Sequence, residues 1–143
     1  IDATVVATGL STRFVALDPV ADHRLHCQVA NQMTTPAETH RPTLDELLAE
    51  FADVEVVATM RYHGAIAASL SGALVTTLSP SPKLAALRND LGPAATHATG
   101  PRDLPRAVAE ALTGDRHLTE AVERLTELAR GNTRALDDLF EAS

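Results

Sequence analysis

Short runs of β-branched residues alternate along this chain with longer runs whose apolar residues recur at helical spacing. That alternation constrains the fold more than any other feature, because a helix between two strands is the crossover that parallel pairing requires. The expected class is therefore α/β, with a parallel sheet flanked by helices. Strands are expected at 13–17 (RFVAL), 54–58 (VEVVA) and 74–78 (LVTTL), with a weaker one at 95–99. Helices are expected at 22–32, 64–71, 83–91 and 104–112, the third stopping at Gly92-Pro93 and the fourth capped by Asp103. Thr43-Leu44-Asp45-Glu46 reads as a capping box opening a helix to about Ala52. The segment 34–42 carries two prolines and reads as a loop. A long helix follows over 118–140, open to interruption at Gly131-Asn132. Val54, Val56, Val57, Leu74 and Leu78 are the expected core.

At 143 residues, 45% of them hydrophobic, the chain has the size of one domain with a core of its own. It starts at Ile1 without a Met, and 1–10 already shows helical spacing, so it is expected to be part of a longer protein. The net charge of -7 argues against a nucleic-acid partner, which would need a surplus of Lys and Arg on one face. An anionic ligand would need a local cluster of cations, which screening beyond about 8 Å isolates from distant carboxylates. Aromatic residues make up 3% of the chain, so no stacking face for bases or sugars is legible, and a sugar acceptor would dock elsewhere. Cys27 is the single cysteine, which excludes an internal disulfide and a multi-cysteine zinc site and points to a reducing compartment. The uncharged run 64–82 is too interrupted to span a membrane, and no signal peptide is legible. The expected location is cytoplasmic, with peripheral membrane association as the alternative.

The informative stretch is 52–92. In open α/β sheets ligands bind beyond the carboxyl ends of the strands, and Arg61 and His63 stand there, between the strand at 54–58 and the helix at 64–71. A helix N-terminus offers unpaired N–H groups to an anion. Arg61 adds a planar fork suited to a carboxylate or phosphate. Gly64 would let a ligand approach the first turn closely. Lys83 occupies the equivalent place one βα unit later, where a cation opposes the helix dipole and so suggests a ligand. Spacing alone leaves a solvated-surface reading of these residues as an equal alternative.

Other groupings are weaker. Asp22, His23, His26 and Cys27 share a metal-like spacing on one helix but lack a second ligand pair, and read as a solvated face. Asp18 ends the first strand as a phosphoacceptor would, but only Asp2 precedes it as an acidic partner. Glu120, Glu123, Arg124, Glu127 and Arg130 read as a solvent-facing helix surface with i, i+3 and i, i+4 pairs. Gly9 and Gly72 form no dinucleotide fingerprint.

The segment 52–92 resembles the signature region of the polysaccharide pyruvyl transferase family through Met60-Arg61-Tyr62-His63, Ser71-Gly72-Ala73 and Pro82-Lys83. Weaker resemblance extends over most of the chain. Tyr62, Leu74 and Ser81 depart from the family's usual residues. The resemblance implies a Rossmann-like C-terminal domain of a two-domain enzyme of glycosyltransferase-B-like architecture, with its N-terminal domain outside this chain. It further implies transfer of a pyruvyl unit from phosphoenolpyruvate to hydroxyls of a cell-surface or exopolysaccharide glycan, as a ketal. Arg61, His63, Gly64 and Lys83 would then bind the donor, with His63 catalytic as acid, base or phosphate hydrogen-bond donor. No metal and no cofactor beyond the donor are called for. A nucleotide-sugar glycosyltransferase of the same architecture and a non-catalytic ligand-binding domain are the competing readings.

Overall fold

The computed structural model describes residues 1–43, 45–114 and 118–141, without the side chains of 128 and 131–141. Its elements run α1 (Asp2–Thr8), β1 (Thr12–Val15), α2 (Ala21–Ala30), β2 (Ala37–His40), α3 (Leu47–Glu50), β3 (Val56–Thr59), α4 (Tyr62–Leu70), β4 (Leu74–Thr77), α5 (Pro82–Leu91), β5 (Ala95–His97), α6 (Leu104–Thr113) and α7 (Leu118–Glu141). All strand pairs are parallel and flanked by helices, as the alternation predicts. The single expected sheet is instead two: β1 pairs with β2, and β3, β4 and β5 form a second sheet with β4 in the middle.

The segment 34–42, expected as a loop, contains β2. The residues Ala37, Glu38, Thr39 and His40 carry no apolar alternation, so the strand has no signature of its own. Its backbone groups find partners only once β1 lies alongside, with Thr12 opposite Ala37 and Val15 opposite His40. Pro36 and Pro42 flank the strand and therefore remove no ladder donor. The helix expected from Thr43 to Ala52 contracts to the four residues of α3. One half of the capping box forms, the Thr43 N–H donating to Glu46 Oε2 at 2.8 Å. The Thr43 hydroxyl donates to the same carboxylate at 3.0 Å, while Leu44 lies outside the described residues. Asp103 does not cap α6. Its carboxylate accepts the Thr99 N–H at 3.0 Å and pairs with Arg106.

The core lies where α4, α5 and α6 close on the three-stranded sheet. Ala65, Ala67 and Ala68 are buried on α4, small enough to bring that helix close to the strands. Leu84, Leu87 and Leu91 recur at helical spacing on α5, and Ala107, Val108 and Ala111 on α6. Leu74 and Val75 fill the central strand, whose four residues are all buried. Of the expected core, Leu74 is buried, Val54, Val56 and Val57 pack at its margin, and Leu78 is half-buried.

Two of the four residues of β4 are threonines, and burying them requires partners for their hydroxyls. Thr76 Oγ1 and Thr96 Oγ1 lie 3.0 Å apart, and Thr96 Oγ1 donates to the carbonyl of Ala107 at 2.9 Å. Thr77 Oγ1 receives Arg88 Nη1 at 3.0 Å and lies 3.0 Å from His97 Nδ1. This chain of hydroxyls stitches β4 to β5, α5 and α6.

α7 continues through Gly131 and Asn132 without interruption. It buries Leu118 and Ala121 and lays Val122 and Leu125 against the core. Of its charged face, Arg130 pairs with Glu127, whereas Arg124 reaches the carbonyl of Asp90 on α5. Among the described residues, no helix is long and apolar enough to cross a membrane.

Candidate functional site

Parallel pairing places the ends of three strands side by side. Thr59 at the end of β3 stands opposite Thr77 at the end of β4, and Thr77 opposite His97 of β5. The turn from β3 into α4 therefore neighbours the turn from β4 into α5, both on the carboxyl edge. Arg61 is the N-cap residue of α4 and Ser81 that of α5, and neither makes a capping side-chain hydrogen bond. The first-turn N–H groups of both helices are thus left without a side-chain cap.

Thr59 holds the first turn in shape. Its Oγ1 accepts the Arg61 N–H at 2.9 Å and donates to the Arg61 carbonyl at 3.3 Å. The Arg61 side chain extends toward α2, where Nη2 meets Asp22 Oδ1 at 2.6 Å. Asp22 is held in turn, its Oδ2 accepting the Asp18 N–H at 2.9 Å. Burial pushes the Asp22 carboxyl up, but the Asp18 N–H and the Arg61 guanidinium outweigh it and hold the group below its ordinary value. Asp22, read from sequence as part of a solvated face, is therefore a partner of the site. The signal that could have found it is its place in the first turn of the helix that follows β1, as Arg61 begins the helix that follows β3.

His63, expected in the loop, lies in the first turn of α4. It is exposed, its side chain makes no hydrogen bond among the described residues, and its ring meets that of Tyr62 edge-on with centroids 5.8 Å apart. Lys83 is exposed in the first turn of α5 and has no ion-pair partner among the described residues. Met60, Tyr62 and, from the turn before α2, Val20 are exposed apolar residues on the same edge.

Gly64 plays a different part from the one expected. It is buried as the third residue of α4, and a Cβ there would lie 2.8 Å from Leu17 Cδ1 and 3.0 Å from Thr59 Oγ1. The missing side chain lets the helix pack on the chain after β1 and on the end of β3. Gly64→Ala is accordingly expected to destabilise the fold by about 1–3 kcal/mol through overpacking. Denaturant unfolding measures this, and a variant as stable as wild type would show that Leu17 simply turns aside.

The remaining candidates are occupied structurally. Asp18 Oδ1 accepts the N–H groups of Val20 at 3.0 Å and Ala21 at 2.9 Å, starting α2. His23 Nε2 lies 3.5 Å from Cys27 Sγ, and the His26 ring stacks on Phe14 at 5.2 Å. Burial pushes His26 below its ordinary pKa, against the pull of Asp22. Among the described residues, no three His, Cys, Asp or Glu side chains converge as a metal site would require. An open hollow of about 520 Å³ lies along β5, away from Arg61, and is lined by Arg88, His97, Arg106 and Glu110 among others. Its cations are already engaged, Arg106 by Asp103 and Glu110 and Arg88 by Thr77. Arg61 is likewise engaged by Asp22, but its turn neighbours that of Lys83, which has no ion-pair partner among the described residues.

No protein-family model, curated protein or solved structure matches the chain. The functional reading therefore rests on these residues and their geometry.

Proposed function

We propose that this chain is the donor-binding, Rossmann-like C-terminal domain of a two-domain, glycosyltransferase-B-like polysaccharide pyruvyl transferase. The observation that carries the reading is the register of Thr59 with Thr77, which sets the Arg61–His63 turn beside the turn bearing Lys83. Phosphoenolpyruvate has two anionic groups. Two neighbouring helix N-termini with an arginine fork, an imidazole and an ammonium offer a matching number of donors.

The chemistry is consistent with that set. A proton added to the methylene carbon turns the enol into a methyl group and leaves the central carbon open to a sugar hydroxyl. The C–O bond to phosphate then breaks, and a second hydroxyl of the same sugar closes the ketal. Two hydroxyl protons are released, one matching the methyl hydrogen gained and the other carried by inorganic phosphate. The His63 imidazole, exposed and making no hydrogen bond among the described residues, would move such a proton. Arg61 and Lys83 would steady the carboxylate and the leaving phosphate.

Calorimetry of the intact protein with phosphoenolpyruvate, and separately with a nucleotide sugar, tests the reading. Saturating binding of phosphoenolpyruvate and none of the nucleotide sugar is expected. The reverse result would replace it with a glycosyltransferase. Binding of neither would remove the catalytic reading altogether.

A further inference from the structure

We infer that Asp22 is a positioning residue for Arg61, aligning its guanidinium for an anionic ligand, an assignment that rests on the donor reading above. The Asp22 carboxylate is fixed at both oxygens, by the Asp18 N–H at one and by Arg61 Nη2 at the other. Its side chain is 18% exposed, whereas that of Arg61 is 54% exposed. The pair thus has a sheltered, immobile member and a member open to solvent. Thr59 fixes the backbone of Arg61 from β3, and Asp22 fixes the far end of the side chain from α2. One Nη2–H is used on Asp22, and the remaining donors of the fork make no hydrogen bond among the described residues.

Fold stability gives a weaker account of the contact, since a pair with one exposed member contributes little to it. The contact also bridges the junction after β1 and the junction after β3, which belong to different sheets with no ladder between them among the described residues. Two effects of opposite sign follow for a bound anion. Asp22 offsets part of the charge of Arg61, which weakens attraction. It also removes the rotamer freedom that a long side chain would otherwise lose on binding. The double fixing of the carboxylate favours the second effect, because a group serving only to neutralise charge needs no anchor of its own.

A double-mutant cycle in the intact protein decides between them, with phosphoenolpyruvate binding followed by NMR titration and thermal melting as the folding control. Asp22→Asn keeps the shape but turns one acceptor into a donor, so either the Asp18 N–H or Arg61 loses its partner. It is expected to weaken phosphoenolpyruvate binding about tenfold, the order expected for releasing one ordered long side chain. In an Arg61→Ala background the same substitution is expected to change binding by less than about twofold. Equal losses in both backgrounds would mean a general structural role and overturn the assignment. Unchanged or tighter binding by Asp22→Asn would overturn it in favour of charge neutralisation. If the Asn variant does not fold, Asp22→Glu reads the same cycle, since it keeps the charge and displaces the carboxylate by one methylene. Wild-type protein that binds no phosphoenolpyruvate would defeat the donor reading and this assignment together. Binding by wild type with an additive cycle would defeat only the assignment.

Discussion

Alanine at His63 is expected to remove most pyruvyl transfer, by about 10²- to 10⁴-fold in turnover, the usual share of a positioned acid or base. The same change should leave the fold intact. His63 is exposed in the first turn of α4 and its side chain makes no hydrogen bond among the described residues, so its loss leaves neither a cavity nor an orphaned group. Melting is therefore expected to stay within about 0.5 kcal/mol of wild type, as for other surface substitutions. His23 and His26 form the contrast. Replacing both should leave turnover and metal content unchanged, although the half-buried His26 ring stacked on Phe14 makes some loss of stability expected. Each variant is assayed for ketal formation, with circular dichroism as the folding control. A folded His63→Ala enzyme with near-normal turnover would defeat the catalytic assignment. Loss of activity in the His23/His26 double variant, restored by zinc or manganese, would instead make α2 a metal site.

Lysine at Arg61 is expected to cost about 2 kcal/mol in kcat/KM for phosphoenolpyruvate, roughly thirtyfold, with a much smaller effect on acceptor use. The geometry makes this substitution harsher than a loss of bidentate contact alone. Arginine meets Asp22 through Nη2 and still presents other N–H groups, whereas lysine has one ammonium that Asp22 would compete for. Steady-state kinetics at varied donor concentration check the prediction. If both KM for phosphoenolpyruvate and kcat stayed within about twofold of wild type, Arg61 would not contact the donor.

Much of the scaffold was legible because its signals are local. The run VEVVA, the LVTTL segment and the helix of Ala65, Ala67 and Ala68 declare their type through side-chain periodicity and β-branching, which need no tertiary partner. The parallel sense followed from the order of elements. Even the weak strand at 95–99 is present as β5, because β4 requires a neighbour on its second side. The position of Arg61 on the carboxyl edge came from the same reasoning, since the turn after a parallel strand lies at that edge.

What was not legible depended on residues distant in sequence. β2 has no apolar pattern, and its hydrogen bonds exist only against β1. The division into two sheets cannot be read from elements that individually look alike. The contraction of α3 shows that a capping signal does not ensure a long helix, even where Leu47 and Phe51 beyond it are buried in the core. Gly64 carries the same residue type whether it admits a ligand or a neighbouring side chain, and only the approach of Leu17 and Thr59 decides for packing. Asp22 and Arg61 are 39 positions apart and lie on elements of different sheets, so their contact has no sequence spacing to betray it. Periodicity along the chain thus determined the class of fold and the edge where a ligand would sit. The tertiary structure alone decided how Arg61 is held there, because an ion pair between the first turn of one helix and the N-cap of another depends on how sheets and helices are stacked.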